Sequence, residues 1–265
     1  MRSALIIPAR YGSTRFPGKP LVSWGGQSML SRVVDISRQV QHTYPHLIVA
    51  VATEDTRIES HCRDIGVDCV MTPDDCPTGS DRVLAACDIL GGGFDVVLGL
   101  QGDAPFTPVK APLAILSAFE ANPDLSVVTP VVKLRWTELD ALRDQKKTTP
   151  FSGTTCVVDS SGRAMWFSKQ ILPAIRREQD LRSTSDFSPV FQHIGLYGFR
   201  YDILKTFVTL KAGIYETLEG LEQLRLLENG IAVHTVTIDV DAGLAQAGID
   251  SPEDVARAEA LLARA

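Results

Sequence analysis

Short, almost uninterrupted apolar runs recur along the first half of this chain, at residues 4–8, 47–53, 69–72 and 95–100, each followed by a stretch of helical periodicity at 28–40, 55–65, 80–90 and 108–121. A strand with one wet face would alternate polar and apolar residues. Runs without that alternation belong to strands covered on both faces, and helices between them are the crossovers that parallel pairing requires. The expectation is a doubly wound α/β fold with a mainly parallel central sheet. Such sheets bind ligands beyond the carboxyl ends of their strands, so the loops at 8–19 and 101–105 should share one crevice.

Beyond residues 126–132 the rhythm breaks. Residues 154–158, 164–167 and 193–200 read as strands without regular helical crossovers, so 131–200 is expected to be an inserted lobe, and 1–130 with 201–265 the main α/β domain. The segment 176–189, rich in Ser, Arg and Asp, reads as a mobile or ligand-ordered loop. A helix at 219–228, a strand at 232–238 and a helix at 252–263 complete the expected main domain. On a helix, Glu219 and Gln223 would share a face, as a substrate-facing or a merely solvated pair. On a strand through 193–200, His193 and Tyr197 would likewise point to one side.

Composition narrows the function. The 265 residues are 45% hydrophobic and 22% charged with a net charge of −6, which fits a globular protein and argues against nucleic acid as a partner. No run reaches the ~18 apolar residues of a membrane span, and residues 1–8 are too short for a signal peptide, so the expectation is a cytoplasmic protein with no membrane partner. Five cysteines, an odd number with no CxxC pair, indicate reduced thiols rather than disulfides or a zinc site.

The loop Arg10-Tyr11-Gly12-Ser13-Thr14-Arg15-Phe16-Pro17-Gly18-Lys19-Pro20 places three cations and two glycines directly after a strand, where backbone amides and side chains can surround a triphosphate. It is not a Walker A loop: five residues separate Gly12 from Gly18, and Pro20 stands where that motif has its metal-binding hydroxyl. Asp103 ends a strand. Asp250 precedes a Pro-started helix and reads as a metal ligand or as a helix cap, a role Ser251 fills as well. His193, alone in an apolar strand, is by itself more often a satisfied core or interface residue than a ligand.

With these residues in view, the chain resembles the 3-deoxy-manno-octulosonate (Kdo) cytidylyltransferases. The resemblance begins at Ile7-Pro8-Ala9-Arg10-Tyr11-Gly12-Ser13-Thr14-Arg15-Phe16-Pro17-Gly18-Lys19 and continues in order through Thr78-Gly79-Ser80-Asp81-Arg82, Gln101-Gly102-Asp103, Phe167-Ser168-Lys169, His193-Ile194-Gly195-Leu196-Tyr197-Gly198, Leu221-Glu222-Gln223-Leu224-Arg225 and Gly248-Ile249-Asp250-Ser251-Pro252. It implies a Rossmann-like nucleotidyltransferase fold, a homodimer built partly through the inserted lobe, Mg²⁺ as cofactor, and transfer of CMP from CTP to the anomeric hydroxyl of an acid sugar. It implies Arg10, Lys19, Asp103 and Asp250 as catalytic residues, with Asp103 and Asp250 on the metal. Ser13, Arg15, Thr72 and Arg82 would join Arg10, Lys19 and Asp103 around the nucleotide. Gln101, His193, Tyr197, Glu219 and Gln223 would line the sugar side.

The sequence also departs from the family. Ala104 stands where Gln-Gly-Asp is usually followed by Glu, Thr155 replaces a basic residue, and Lys169 replaces Arg in Phe-Ser-Arg. These changes flank the metal and sugar while the phosphate loop is intact, so an amino-substituted or otherwise altered Kdo is an open alternative. A glycosyltransferase of similar architecture is a more distant one, since Gln101-Gly102-Asp103 offers one carboxylate where such enzymes carry Asp-x-Asp.

Overall fold

The computed structural model describes residues 1–12 and 16–240. Asp250 and the expected last helix, like Ser13 and Arg15, lie outside the described residues. In chain order the elements begin with β1 (Ser3–Pro8), a 3₁₀ turn at Lys19–Leu21, a small hairpin of β2 (Ser23–Trp24) and β3 (Gln27–Ser28), α1 (Met29–Thr43), β4 (Ile48–Thr53), α2 (Thr56–Asp64), β5 (Cys69–Met71), α3 (Gly79–Ile89), β6 (Val96–Gly99) and α4 (Lys110–Ala121). They continue with β7 (Val127–Arg135), α5 (Trp136–Thr148), β8 (Thr155–Val158), β9 (Ala164–Ser168), α6 (Glu178–Thr184), β10 (Phe187–His193), β11 (Tyr197–Arg200), α7 (Tyr201–Thr209), α8 (Ile214–Glu219), α9 (Leu224–Glu228) and β12 (Val233–Thr237).

The main sheet runs β5-β4-β1-β6-β11-β7-β10-β8-β9, with β12 also paired to β7. Strands β5, β4, β1 and β6 are parallel, as the apolar runs require. From β11 onward the neighbours are antiparallel, apart from the parallel pair of β12 and β7. The sheet is therefore mixed, parallel where the crevice forms. Alternate residues of β1 serve two cores: Leu5 and Ile7 pack with α1 and α4, while Ala4 and Ile6 pack with α3 and α7. That double burial explains the absence of polar alternation.

Residues 131–200 continue this same sheet, and two readings of that region and one beyond it change. The strand expected over 193–200 is two strands joined by a turn at 194–196, so His193 and Tyr197 do not share a strand face. The expected loop at 176–189 holds α6 and the start of β10. No residue of α6 is buried; it is held to α5 by Glu178, which accepts from Arg143 at 2.8 and 2.7 Å and from Arg182, while Arg182 also reaches Asp140 at 2.6 Å. The expected helix over 219–228 is broken at Gly220, whose φ of 63° is the left-handed conformation that glycine adopts without strain. Glu219 consequently ends α8 while Gln223 lies in the turn before α9, and the two do not share a helix face.

Candidate active site

β1 and β6 end side by side, and the loops leaving them meet across a narrow gap. Gly102 makes that meeting possible: a Cβ there would stand 2.9 Å from the carbonyl oxygen of Pro8, which accepts the Gly102 amide. The two loops and the N-terminus of α3 enclose a cavity of ≈ 310 Å³ lined by Arg10, Lys19, Thr78, Gly79, Gln101 and Asp103 among others. Thr78 caps α3 through its hydroxyl and shares a capping box with Asp81. The positive end of this eleven-residue helix thus borders a cavity that already holds two cations, a setting suited to a polyphosphate.

Lys19 is buried and donates from Nζ to Asp103 Oδ2 at 2.8 Å. The pair joins the two sides of the crevice, and the Asp103 side chain remains 48% exposed. Arg10, exposed at the rim, donates to the carbonyl oxygens of Cys76 and Thr78, drawing the loop before α3 toward β1. The Gln101 amide lies against Gly79 and so faces the same cavity.

A divalent cation fits this donor set. Asp103 presents a hard carboxylate already aimed at a cationic partner, and Mg²⁺ needs few protein ligands because it keeps water and takes phosphate oxygens. Among the described residues no group of three or more His, Cys, Asp or Glu side chains could hold a metal by itself, so an all-protein cage is not what these residues build.

Arg82 and Thr72 do not line the cavity. Arg82 is fully buried, donates from Nη1 to the Thr72 hydroxyl at 2.5 Å and lies 2.7 Å from the Glu54 carboxylate. These contacts make Arg82 a support for the segment between β5 and α3, while its Nε and Nη2 are buried without a hydrogen-bond partner among the described residues.

A second polar group lies beyond α3. The Ser80 hydroxyl donates to Glu222 Oε2 at 3.1 Å, and Glu222 Oε1 is enclosed without a hydrogen-bond partner. Burial raises the Glu222 pKa above the ordinary carboxylate value, an effect opposed by hydrogen bonds from Thr78 and Ser80 and by Arg225. Arg225 in turn is held by Glu216 at 2.8 and 2.5 Å. The buried Tyr197 hydroxyl makes no well-formed hydrogen bond, and its pKa is raised chiefly by burial, with the nearby Glu222 carboxylate adding to the effect. Its ring lies 5.3 Å from that of His193. The two residues therefore do meet, through the turn rather than along a strand.

Thr129 fixes the tautomer of His193. Its hydroxyl donates to the Leu196 carbonyl at 2.8 Å, so at the 2.8 Å contact with His193 Nε2 the ring must be the donor. Burial, assisted by the Lys169 charge, lowers the His193 pKa to about 3 and keeps the imidazole neutral. Glu219 accepts from the Ser168 hydroxyl at 2.7 Å and from the Lys169 amide at 2.8 Å, while Lys146 donates to the Lys169 carbonyl at 2.6 Å. The backbone that presents Lys169 is thus gripped on both sides, and Glu219 is engaged in that grip. Gln223 is buried in the turn between α8 and α9. Glu222 and Lys169 stand inside matched motifs but are not among the expected site residues, although Lys169 is one of the departures flanking the metal and sugar.

The fold and this crevice define a nucleotidyltransferase, and the family model described as "Cytidylyltransferase" matches residues 4–238. The chain is 41% identical over 258 residues to the 3-deoxy-manno-octulosonate cytidylyltransferase of Maricaulis maris, covering 97% of this chain and 96% of that one. It is 34% identical to the mitochondrial enzyme of that name from Arabidopsis thaliana, covering 97% and 82%. A solved structure of CMP:2-keto-3-deoxy-manno-octonic acid synthetase complexed with CTP superposes with a TM-score of 0.83 at 28% identity, over 100% of this chain and 99% of that one. The chain belongs to the 3-deoxy-manno-octulosonate cytidylyltransferase family. A cytidylyltransferase from Leptospira borgpetersenii, at 16% identity and a TM-score of 0.62 over 100% of this chain and 88% of that one, shares the fold.

Proposed function

We propose that the protein transfers CMP from CTP to the anomeric hydroxyl of Kdo or a closely related acid sugar and releases pyrophosphate. The observation that carries the reading is the Lys19–Asp103 pair at the mouth of a cationic cavity beside the α3 N-terminus, next to the polar group of Glu222, Tyr197, His193 and Lys169. The first region suits a triphosphate and the second an acidic, hydroxyl-rich sugar. Arg10 and Lys19 hold the phosphates, with Ser13 and Arg15 from the same loop. Lys169 supplies a cation for the sugar carboxylate, while Gln101, Tyr197, Glu222 and His193 orient its hydroxyls.

The sugar oxygen attacks the α-phosphorus in line, the bond to the β-phosphate bridging oxygen breaks, and the hydroxyl proton passes to solvent. Such a transfer needs alignment and charge neutralisation more than a protein nucleophile. Mg²⁺, held by Asp103 and by Asp250, would neutralise phosphate charge when bound.

Ile214 and Leu218, one turn apart on α8, are 73% and 76% exposed, and Tyr215 between them packs edge-on to Trp166 of β9 with ring centroids 5.0 Å apart. The need for CTP, a cytoplasmic nucleotide, is what supports action in the cytoplasm, and this apolar face, which includes part of the 131–200 segment, supports a homodimer. Sedimentation of Leu218→Glu tests it: the unaltered chain should be dimeric and the variant monomeric, and equal mass for both would exclude this face. For the reaction, pyrophosphate should appear only with CTP and Kdo or its close relative together. Equal release with ATP, or release without an acid sugar, would contradict the assignment.

A further inference from the structure

Outside the two main cores, Trp24 and Met29 are buried in a small apolar cluster against which Phe16 and Phe106 pack. Phe16 lies on the phosphate loop three residues before Lys19, and Phe106 lies three residues after Asp103. Trp24 is fixed from its own side by Arg32, whose guanidinium lies 4.8 Å over the indole and donates to the Trp24 carbonyl at 2.6 Å. The loop carrying Phe106 is two successive turns: the Ala104 amide donates to the Gln101 carbonyl at 3.1 Å, and the Thr107 amide and hydroxyl donate to the Ala104 carbonyl at 3.2 and 3.0 Å. Asp103 and Phe106 therefore belong to one short, internally bonded unit.

The two sides of the crevice are thus tied twice, by the Lys19–Asp103 ion pair and by Phe106 packed against the Trp24–Met29 cluster. Ligand binding treats the ties differently. A triphosphate competes for the Lys19 ammonium and a cation competes for the Asp103 carboxylate, so the ion pair is exchanged for ligand contacts. An apolar contact offers neither ligand a better partner and persists. We propose that Phe106 is a positioning residue that holds the Asp103 loop at its distance from Lys19 after the ion pair is exchanged, and so couples the binding of the cation to that of the nucleotide. The proposal rests on the reading of the cavity as a CTP site.

The test is calorimetric titration of the protein with CTP, with and without Mg²⁺ and without sugar, for the unaltered chain, Phe106→Ala and Phe106→Leu. In the unaltered chain Mg²⁺ should tighten CTP binding. In Phe106→Ala that tightening should fall about fivefold, with metal-free affinity held within about twofold. Phe106→Leu, which keeps most of the apolar contact, should restore it. Unchanged tightening in Phe106→Ala, an equal loss with and without Mg²⁺, or a change confined to melting temperature would overturn the proposal. Absence of CTP binding by the unaltered chain would overturn the functional reading as well, so the two failures are distinct.

Discussion

Replacing Arg82 by Met keeps most of its bulk and removes its charge, which separates a supporting role from a nucleotide contact. In the folded protein the guanidinium is fully buried, bonded to the Thr72 hydroxyl at 2.5 Å and to the Pro73 carbonyl at 3.4 Å, and set 2.7 Å from Glu54. Removing one partner of a buried ion pair costs about 3–5 kcal/mol, because the other charge is left in a poor environment. The Glu54 side chain is 21% exposed and can regain some water, which puts the cost near the lower end. At ~3 kcal/mol, a chain of this size should melt about 6–12 °C lower. The assay is a thermal melt paired with CTP kinetics well below the transition. KM for CTP should stay within about twofold, and Glu54→Gln added to Arg82→Met should recover part of the loss, since removing both partners avoids the unpaired charge. A variant that melts within about 2 °C of the parent, or one that melts normally with a much raised KM for CTP, would refute the reasoning.

Lys19→Ala removes a charge-assisted contact worth about 1.5–3 kcal/mol, so kcat/KM for CTP should fall roughly ten- to a hundredfold with little change in melting temperature. His193→Ala should raise the sugar KM far more than the CTP KM; equal effects would make His193 a packing residue alone. The native His193 pKa is about 3 against 6.5 for the free side chain, so the unfolded chain binds more protons between those values, and His193 contributes stability that is present above about 6.5 and lost as pH falls toward about 3. A His193→Gln variant should therefore show a flatter dependence of melting temperature on pH between 7 and 4, and an unchanged slope would contradict the burial argument. Glu178→Gln should accelerate amide exchange over Glu178–Thr184 without reducing turnover, because ion pairs and not packing hold α6.

What could be read in advance follows from which forces leave a pattern in sequence. The parallel half of the sheet was legible because β1, β4 and β6 bury both faces, and the crevice followed from where those strands end. Helix α6 was illegible since it buries nothing: its stability comes from Arg143, Arg182, Asp140 and Glu178, whose spacing says nothing until α5 stands beside it. Helix α5 hides its three buried residues, Trp136, Leu139 and Leu142, in a largely polar stretch. At the site, Lys19 and Asp103 were readable as chemistry. Glu222 was not, because its raised pKa arises from an enclosure assembled by α3, α9 and β11. Thr129, which sets the His193 tautomer, sits 64 residues away in the chain and leaves no local sign.

Direct transfer moves the α-phosphorus of CTP to the acid sugar without a stop on the protein. Incubation with CTP labelled at the α-phosphate, together with Kdo and Mg²⁺, followed by separation of small molecules from protein, tests it most directly. Label should appear in a CMP-sugar formed in equal amount with unlabelled pyrophosphate, and none should be bound covalently to the protein. Label that stays in CTP or appears only as free CMP, or that is recovered on the protein, would contradict it.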